Sequence, residues 1–336
     1  MHASRRSFLR SLLARTGAML AWPAIGCDVR EFARAHGAKV RLSIATGQVG
    51  GVYYVLGGAL AKVITAYVPN VEATAEVTAA TVDNLKLLRA GQVDVAYGIA
   101  ASIGDAYRGE GLFRAFGRVP VRALAVLYVQ ATHVVTLVRH PIARVADLRG
   151  RVVSIGAAGS GTEDLALRML VAAELDPRKD LRCELLGPAQ SVDALKDGKI
   201  AAFFNSNALP SPAVMELATS IGRDMRLVPS DDLIPALRQR FGEGQFTVEV
   251  IPPRTYRGQD AAVATVGNAA LLVVDEAMSE SLTYEITRAL FQHRDEQAAI
   301  HPAAKGFTPA RAVVGSPVPF HPGAIRYYRE IAAWPA

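Results

Sequence analysis

The chain has 336 residues, 51% of them hydrophobic and 20% charged, with 37 basic and 31 acidic side chains. Residues 1–27 hold four arginines and no acidic residue, so the remainder carries 33 basic against 31 acidic side chains. A nearly neutral remainder without a Lys/Arg run argues against nucleic acid as a partner. The length is ample for one large domain or two smaller ones.

The first 27 residues have the layout of an export signal. Arg5 and Arg6 stand just before Phe8 and Leu9, and an apolar stretch covers 16–26. This order resembles a twin-arginine signal peptide, and the apolar stretch is too short to span a bilayer, which takes about 20 residues. The alternative is an amphipathic helix that belongs to the folded domain. Export predicts a periplasmic protein.

The two cysteines have different expected roles. Residues 24–27, Ala-Ile-Gly-Cys, resemble a lipoprotein cleavage box, which predicts a lipid tether at Cys27. If Cys27 is lipidated or removed, Cys183 has no partner, so no disulfide is expected. Cys183 lies in a strand-like apolar run and is predicted to be a small buried hydrophobic residue.

Strand and helix patterns alternate along the chain. Strands are predicted at 41–47, 71–78, 93–99, 122–139, 151–156, 181–186, 200–205 and 266–274. Helices are predicted at 52–67, 81–91, 162–173, 191–198, 281–300 and 323–332. Alternation at this spacing predicts an α/β fold with mainly parallel sheets covered by helices.

One pattern occurs twice. Residues 81–97 resemble 191–204: each is a helix that begins at Thr or Ser, continues through Val-Asp and Leu-Lys, ends at Gly and leads into an apolar strand. Two similar lobes with a cleft between them would produce this, with the chain crossing near 122–139 and 240–250. The alternative is that α/β units commonly look alike.

Three strand-to-helix turns are suited to an anion. They lie at 45–54, 77–84 and 155–164, where small residues let a ligand reach the backbone. The unpaired amides and the dipole of a helix start attract a carboxylate or phosphate. The alternative is structural, because Ser160 and Glu163 fit a capping box and Thr81 fits a helix cap.

Other kinds of site have weaker support. Gly156, Gly159 and Gly161 follow a strand, with Glu184 further on, but their spacing is not that of a dinucleotide fingerprint. The seven histidines lack metal-ligand spacing, and no nucleophile elbow occurs. His133, in an apolar run, is predicted to be a hydrogen-bonded core residue. No catalytic residue, metal or cofactor is predicted.

Six segments together resemble the TAXI-type solute receptors of tripartite ATP-independent periplasmic (TRAP) transporters. The segments lie at 45–64, 81–96, 147–163, 194–204, 255–266 and 321–330. The resemblance implies a two-lobed periplasmic-binding fold of the type II kind, with a hinged cleft. On this basis lobe 1 is expected at 40–127 plus 246–336, and lobe 2 at 128–245.

The resemblance also implies a function. Such a receptor captures an amino acid or small organic anion and delivers it to a TRAP-type permease, without catalysis. The alternatives are an exported α/β enzyme and a sensor that reports a solute to a membrane signalling partner. The expected ligand contacts are Thr46, Gly47, Gly50, Gly51, Tyr53, Tyr54, Thr81, Asn84, Ser160, Gly161, Thr162, Asn205 and Asn207.

The chain departs from the family pattern in three places. These are Gln48-Val49, where a small polar residue is usual, Ile99, where a polar residue is frequent, and 205–210, where a glycine-containing turn is usual. These departures leave the receptor class intact and argue against glutamate as the ligand.

Overall fold

A computed structural model describes residues 39–335. The predictions about the export signal and Cys27 lie outside the described residues. The strands are β1 (Val40–Ala45), β2 (Val71–Glu76), β3 (Val95–Ile99), β4 (Val121–Leu137), β5 (Val152–Ser154), β6 (Arg182–Glu184), β7 (Ala202–Asn207), β8 (Met225–Leu227), β9 (Thr247–Ile251) and β10 (Val263–Asp275). The helices are α1 (Val52–Tyr67), α2 (Thr81–Arg89), α3 (Ala100–Arg108), α4 (Gly161–Ala172), α5 (Pro188–Lys196), α6 (Pro212–Ile221), α7 (Ile234–Phe241), α8 (Glu280–Gln292), α9 (Arg294–Ile300), α10 (Pro309–Ala312) and α11 (Pro322–Glu330).

Two similar parallel units form the ends of the sheet. In the first, β1 pairs in parallel with β2 and β3, and in the second β5 pairs in parallel with β6 and β7. Their connections are β1–α1–β2–α2–β3 and β5–α4–β6–α5–β7. The repeated segments fall on α2–β3 and on α5–β7, at equivalent places. The pattern at 81–97 and 191–204 therefore reflects two similar lobes.

Two long strands join the lobes. The sheet order is β2-β1-β3-β10-β4-β7-β5-β6, and both β10 and β4 pair antiparallel to their neighbours. The expected dominance of parallel pairing therefore holds only within each unit, and the whole sheet is mixed. The stretch 122–139 forms one strand, β4, which passes from the first lobe to the second. The architecture is the expected two-lobed α/β fold.

The predicted return crossing at 240–250 lies next to β9 and β10. The segment 240–250 stays in the second lobe, because β9 pairs with the first half of β10 and Ile251 and Tyr256 pack with Phe203. The chain returns in the middle of β10, where Asn268 pairs with Gln130 of β4. The lobe boundaries themselves stay predictions.

Helix α1 shows how local pattern sets the packing. Leu56, Leu60 and Ile64 recur every four residues, which places them on one helix face. All three are fully buried and pack with Leu42 and Ile44 of β1. Each buried side chain of this size contributes about 1.5–3 kcal/mol relative to an exposed one. This packing sets where α1 begins relative to the end of β1.

The segment 281–300 and Cys183 both differ from the predictions. The predicted helix 281–300 is two helices, α8 and α9, which meet at His293. Cys183 is half-buried rather than fully buried, and its Sγ donates to the Pro177 carbonyl oxygen at 3.3 Å. Within 39–335, no helix combines the length and apolarity needed to cross a membrane.

Candidate functional site

A small cavity lies between the two lobes. Four helices begin at it, α1 at Val52, α2 at Thr81, α4 at Gly161 and α5 at Pro188. Its volume is about 60 Å³, counted as the space open to the centre of a water molecule. It is lined by Gly47, Gln48, Gly51, Val52, Tyr53, Ala79, Ala80, Thr81, Ile99, Gln130, Gly156, Ala157, Ser160, Gly161, Thr162, Leu186, Pro188, Phe204, Asn205, Ser206 and Asn207.

The first-lobe helices begin without side-chain caps. The residues before them, Gly51 and Ala80, make no capping hydrogen bond, and Ala80 adopts the left-handed region with a φ of 88°. Thr81 does not cap its own helix, because its Oγ1 instead accepts from the Ile99 amide at 3.2 Å. The first amides of a helix have no acceptor inside the helix. The capping explanation therefore does not account for Thr81.

The second-lobe turn serves both structure and cavity. The Ser160 Oγ accepts from the Glu163 amide at 3.0 Å and caps α4. Glu163 reaches back one residue further than a capping box requires, and accepts from the Gly159 amide at 2.6 Å. The Thr162 Oγ1 accepts from the Ser206 amide at 3.3 Å. Ser160 thus caps a helix while it also lines the cavity.

The end of β7 supplies a chain of amides. Asn207 uses its Oδ1 to accept from the Val52 amide at 3.2 Å, and its Nδ2 donates to the Asn205 Oδ1 at 2.9 Å. Asn205 in turn donates to the Ser211 Oγ at 2.7 Å. Both amide oxygens are therefore occupied by donors from the protein. The Ser206 Oγ donates to the Gln130 Oε1 at 3.1 Å.

Tyr53 lines the cavity with its hydroxyl buried beside Thr81 and Gln130. The residue is 7% exposed, and its hydroxyl makes no hydrogen bond of standard geometry, although those two neighbours act to lower its pKa. Burial, followed by the nearby Tyr97, raises its pKa far above the usual value, so the group stays protonated. The Tyr97 ring lies behind it at a centroid distance of 5.2 Å. A buried donor without an acceptor is costly unless a ligand or water completes it.

Nine of the predicted contact residues line the cavity together. They are Gly47, Gly51, Tyr53, Thr81, Ser160, Gly161, Thr162, Asn205 and Asn207. The other four, Thr46, Gly50, Tyr54 and Asn84, do not line it.

Each of these four has another place in the structure. Asn84 is fully buried and donates to the carbonyl oxygens of Ala45, Thr46 and Tyr97, which ties β1 to β3 below the cavity. Thr46 donates to the Glu76 carbonyl oxygen at 2.6 Å. Tyr54 is exposed on the outer side of α1, and Gly50 forms the preceding turn with a φ of 86°.

Several lining residues were absent from the predicted contacts. Three of them are polar, namely Gln48, Gln130 and Ser206. The sequence did contain an indication for Gln130, which is a polar residue in the middle of the apolar run 122–139. The family departures at Gln48 and Ile99 also lie in the lining.

Backbone contacts hold the lobes together around the cavity. The Asp83 amide of α2 donates to the Gly159 carbonyl oxygen of the second lobe at 3.1 Å. Gly161 allows this approach, because a Cβ there would lie 2.6 Å from the Thr81 Oγ1 and 3.2 Å from Ile99 side-chain carbons. The lobes are therefore in contact, in a closed arrangement.

A buried ionic cluster also joins the lobes. Arg168 of α4 donates to Asp105 of α3 at 2.6 Å and to Asp164 at 3.0 Å, and Ser102 donates to Asp164 at 2.5 Å. The three charged side chains are only 7–10% exposed. Burial works to lower the Arg168 pKa, but the two carboxylates outweigh it and the pKa is raised. The cluster lies along α3 and α4 beyond Ile99 and Gly161.

His133 is the expected core histidine. It is 1% exposed, with Nδ1 2.9 Å from the Asn205 carbonyl oxygen and Nε2 2.7 Å from the Tyr256 hydroxyl. Burial lowers its pKa to about 4, so the ring is neutral near pH 7. The Asn205 contact requires Nδ1 to carry the proton. Within residues 39–335, no group of three or more potential side-chain ligands could hold a metal ion.

Proteins of known structure are similar to this chain over most of its length. A protein from Bordetella bronchiseptica RB50 superimposes with a TM-score of 0.50 at 21% identity, over 88% of this chain and 90% of that one. The alkanesulfonate-binding protein from Xanthomonas axonopodis pv. citri, bound to MOPS, has a TM-score of 0.49 at 14% identity, over 89% and 81%. An ancestral arginine-binding protein has a TM-score of 0.49 at 14% identity, over 80% and 98%.

The sequence comparison covers most of the folded chain. Residues 44–331 match the NMT1-like family. The match begins within β1 and extends just past α11, so it includes both lobes and every residue of the cavity lining. This chain therefore belongs to the NMT1-like family.

Proposed function

We propose that the protein is a periplasmic solute receptor that captures a small organic anion or amino acid by lobe closure. The observation that carries the proposal is the cavity enclosed between two lobes, at which four helices begin. Small-molecule sites are concave and hold a few oriented polar groups, as this one does. The first amides and dipoles of those helices favour an anionic group.

Closure would be driven by the ligand. Two lobes joined by long strands can open and close, and a ligand shifts that equilibrium only if it binds the closed state better. In this protein the cavity lining comes from both lobes, so a ligand makes its full set of contacts only when they meet. The Asp83 to Gly159 hydrogen bond adds a contact that closure itself would form.

The proposal includes a membrane partner. The six segments that resemble TAXI-type receptors favour delivery to a TRAP-type permease, and the twin-arginine-like start with Cys27 favours an exported and lipid-tethered protein. Some proteins of similar fold are components of ABC-type importers, at 12% identity. Receptor-dependent uptake into vesicles that contain the partner permease separates the two classes. Uptake driven by an ion gradient supports the TRAP assignment, and a requirement for ATP overturns it.

A ligand screen tests the receptor assignment. We expect small organic anions to raise the apparent free energy of unfolding by about 2.7 kcal/mol at a hundred times their dissociation constant. Thermal unfolding with amino acids, monocarboxylates, dicarboxylates and sulfonates measures this, and small-angle scattering of the same samples reports compaction. Turnover of a bound compound would instead support the exported-enzyme alternative. If no compound of any class shifts the transition, the receptor assignment is wrong.

A further inference from the structure

The cavity is lined without a single charged side chain. Its polar groups are hydroxyls and amides, contributed by Gln48, Tyr53, Thr81, Gln130, Ser160, Thr162, Asn205, Ser206 and Asn207. A buried ammonium group is costly unless an anion pairs with it, and no carboxylate is present in the lining to do so. The positive ends of the helix dipoles oppose a cation further. The charge pattern therefore favours an anion that carries no amine.

The hydrogen-bonding groups of the lining also favour an anion, because they are free to donate rather than to accept. The hydroxyl oxygens of Thr81, Ser160 and Thr162 each accept from a backbone amide, which leaves the hydroxyl hydrogen to donate elsewhere. The amide oxygens of Asn205 and Asn207 already accept from the protein. The cavity thus has donors to offer, and these acceptors are occupied.

Tyr53 is an independent indication of a ligand at this place. Tyr53 lines the cavity, and its buried hydroxyl makes no hydrogen bond of standard geometry, although Thr81 and Gln130 of the same lining lie near enough to lower its pKa. Because the hydroxyl remains protonated, it can donate to an anionic oxygen, and hydrogen bonds to charged groups are stronger than those between neutral groups. This observation does not depend on the helix starts.

The size of the cavity limits the ligand. The space open to the centre of a water molecule is only about 60 Å³, which favours a short acid over a longer one. Glutamate in addition carries an ammonium group, for which the lining has no anionic partner.

We infer that the cavity binds a short monocarboxylate, of the hydroxy-acid or oxo-acid class, and rejects the amino acid of equal size. The inference rests on the proposed function and narrows it. The Tyr53 hydroxyl donates to the ligand's carboxylate or to its neighbouring oxygen, with the hydroxyls of Thr81 and Thr162 as further donors. Specificity comes from neutral donors, so it does not require a salt bridge to the ligand.

A matched set of small molecules tests the inference. Calorimetric titration of the full-length protein would use pyruvate, L-lactate and propionate against L-alanine, propionamide, succinate and L-glutamate. We expect at least one of the three acids to bind at least about tenfold more tightly than alanine or propionamide. Alanine or glutamate binding within about threefold of the best acid would overturn the inference while leaving the receptor function intact.

Two tyrosine variants test the donor. Tyr53→Phe removes the hydroxyl and keeps the ring, and we expect it to weaken binding of the best acid by about tenfold or more. Tyr97→Phe is the matched control, because its hydroxyl is also buried and unpartnered but does not line the cavity. We expect unchanged affinity there. Equal effects of the two variants, or no effect of Tyr53→Phe, would overturn the role of Tyr53.

If none of the three acids binds, the result depends on the wider screen. Binding of another class, such as a dicarboxylate or a sulfonate, overturns the monocarboxylate inference and preserves the receptor. The absence of any ligand overturns both. The two failures are therefore distinguishable.

Discussion

Replacing Arg168 with methionine is expected to lower the free energy of unfolding by about 3–5 kcal/mol, the usual cost of breaking a buried ion pair. Asp164 is 7% exposed and would lose this cation, while Asp105, 10% exposed, would keep only its ion pair with the more exposed Arg108 at 2.9 Å. Methionine fills much of the same volume, so the loss reports mainly the uncompensated charge of Asp164 rather than a cavity. Urea unfolding followed by circular dichroism measures the change.

Two further variants test whether the loss of stability comes from buried, unpaired charge. Arg149→Met breaks the ion pair with Asp180, but Arg149 is 58% exposed, so we expect a change of at most about 1 kcal/mol. Adding Asp164→Asn to Arg168→Met should recover part of the loss, because one buried unpaired charge disappears. A loss with Arg168→Met no larger than with Arg149→Met would mean that water screens the cluster.

Replacing Gly161 with alanine is expected to weaken ligand binding five- to 150-fold, since overpacking a tight contact costs about 1–3 kcal/mol. The new Cβ would lie 2.6 Å from the Thr81 Oγ1, across the cleft. The obstacle exists only when the lobes meet, so the folded lobes themselves should keep their stability. Titration with the tightest acid of the matched set, together with thermal unfolding of the free protein, measures both.

Gly58→Ala is the control for this variant. Gly58 is exposed on α1, and a Cβ there would meet nothing within 4 Å. Alanine in a helix is favoured over glycine by about 1 kcal/mol, so stability should rise slightly while affinity stays the same. If Gly161→Ala binds as tightly as the parent protein, the lobes do not need this contact to enclose the ligand.

The pattern of apolar residues predicted much of the fold because it acts locally. The four-residue spacing of apolar side chains along α1, and the glycines that follow α2 and α5, determine where these elements start and stop. The similarity of α2–β3 to α5–β7 was visible because both segments pack in the same way, as a helix followed by a parallel strand, at equivalent places in the two lobes. The lobe boundaries at 127 and 246 stay predictions, since the partners of β10 are distant in sequence and its own residues do not specify them.

The candidate site was predictable to a similar extent. Helix starts at strand ends were recognisable, and seven of the contact residues predicted there line the cavity, together with Asn205 and Asn207 of β7. Asn84 is of the same type and lies at a similar turn, but its amide bonds to carbonyl oxygens below the cavity. Gln130 comes from the middle of a strand. Which way a polar side chain faces depends on tertiary contacts that no local pattern contains.

The position of β10 has a consequence for how the chain acquires its structure during synthesis. β10 lies between β3 and β4 in the sheet, although it follows them by more than a hundred residues. Until the ribosome has released β10, β3 and β4 have no strand to join them, while β5 to β8 can already assemble on the second half of β4. The second lobe can therefore begin to form early, although its β9 also pairs with the first half of β10, and the first lobe closes its sheet last. Such late, distant pairing slows folding and leaves strand edges exposed meanwhile.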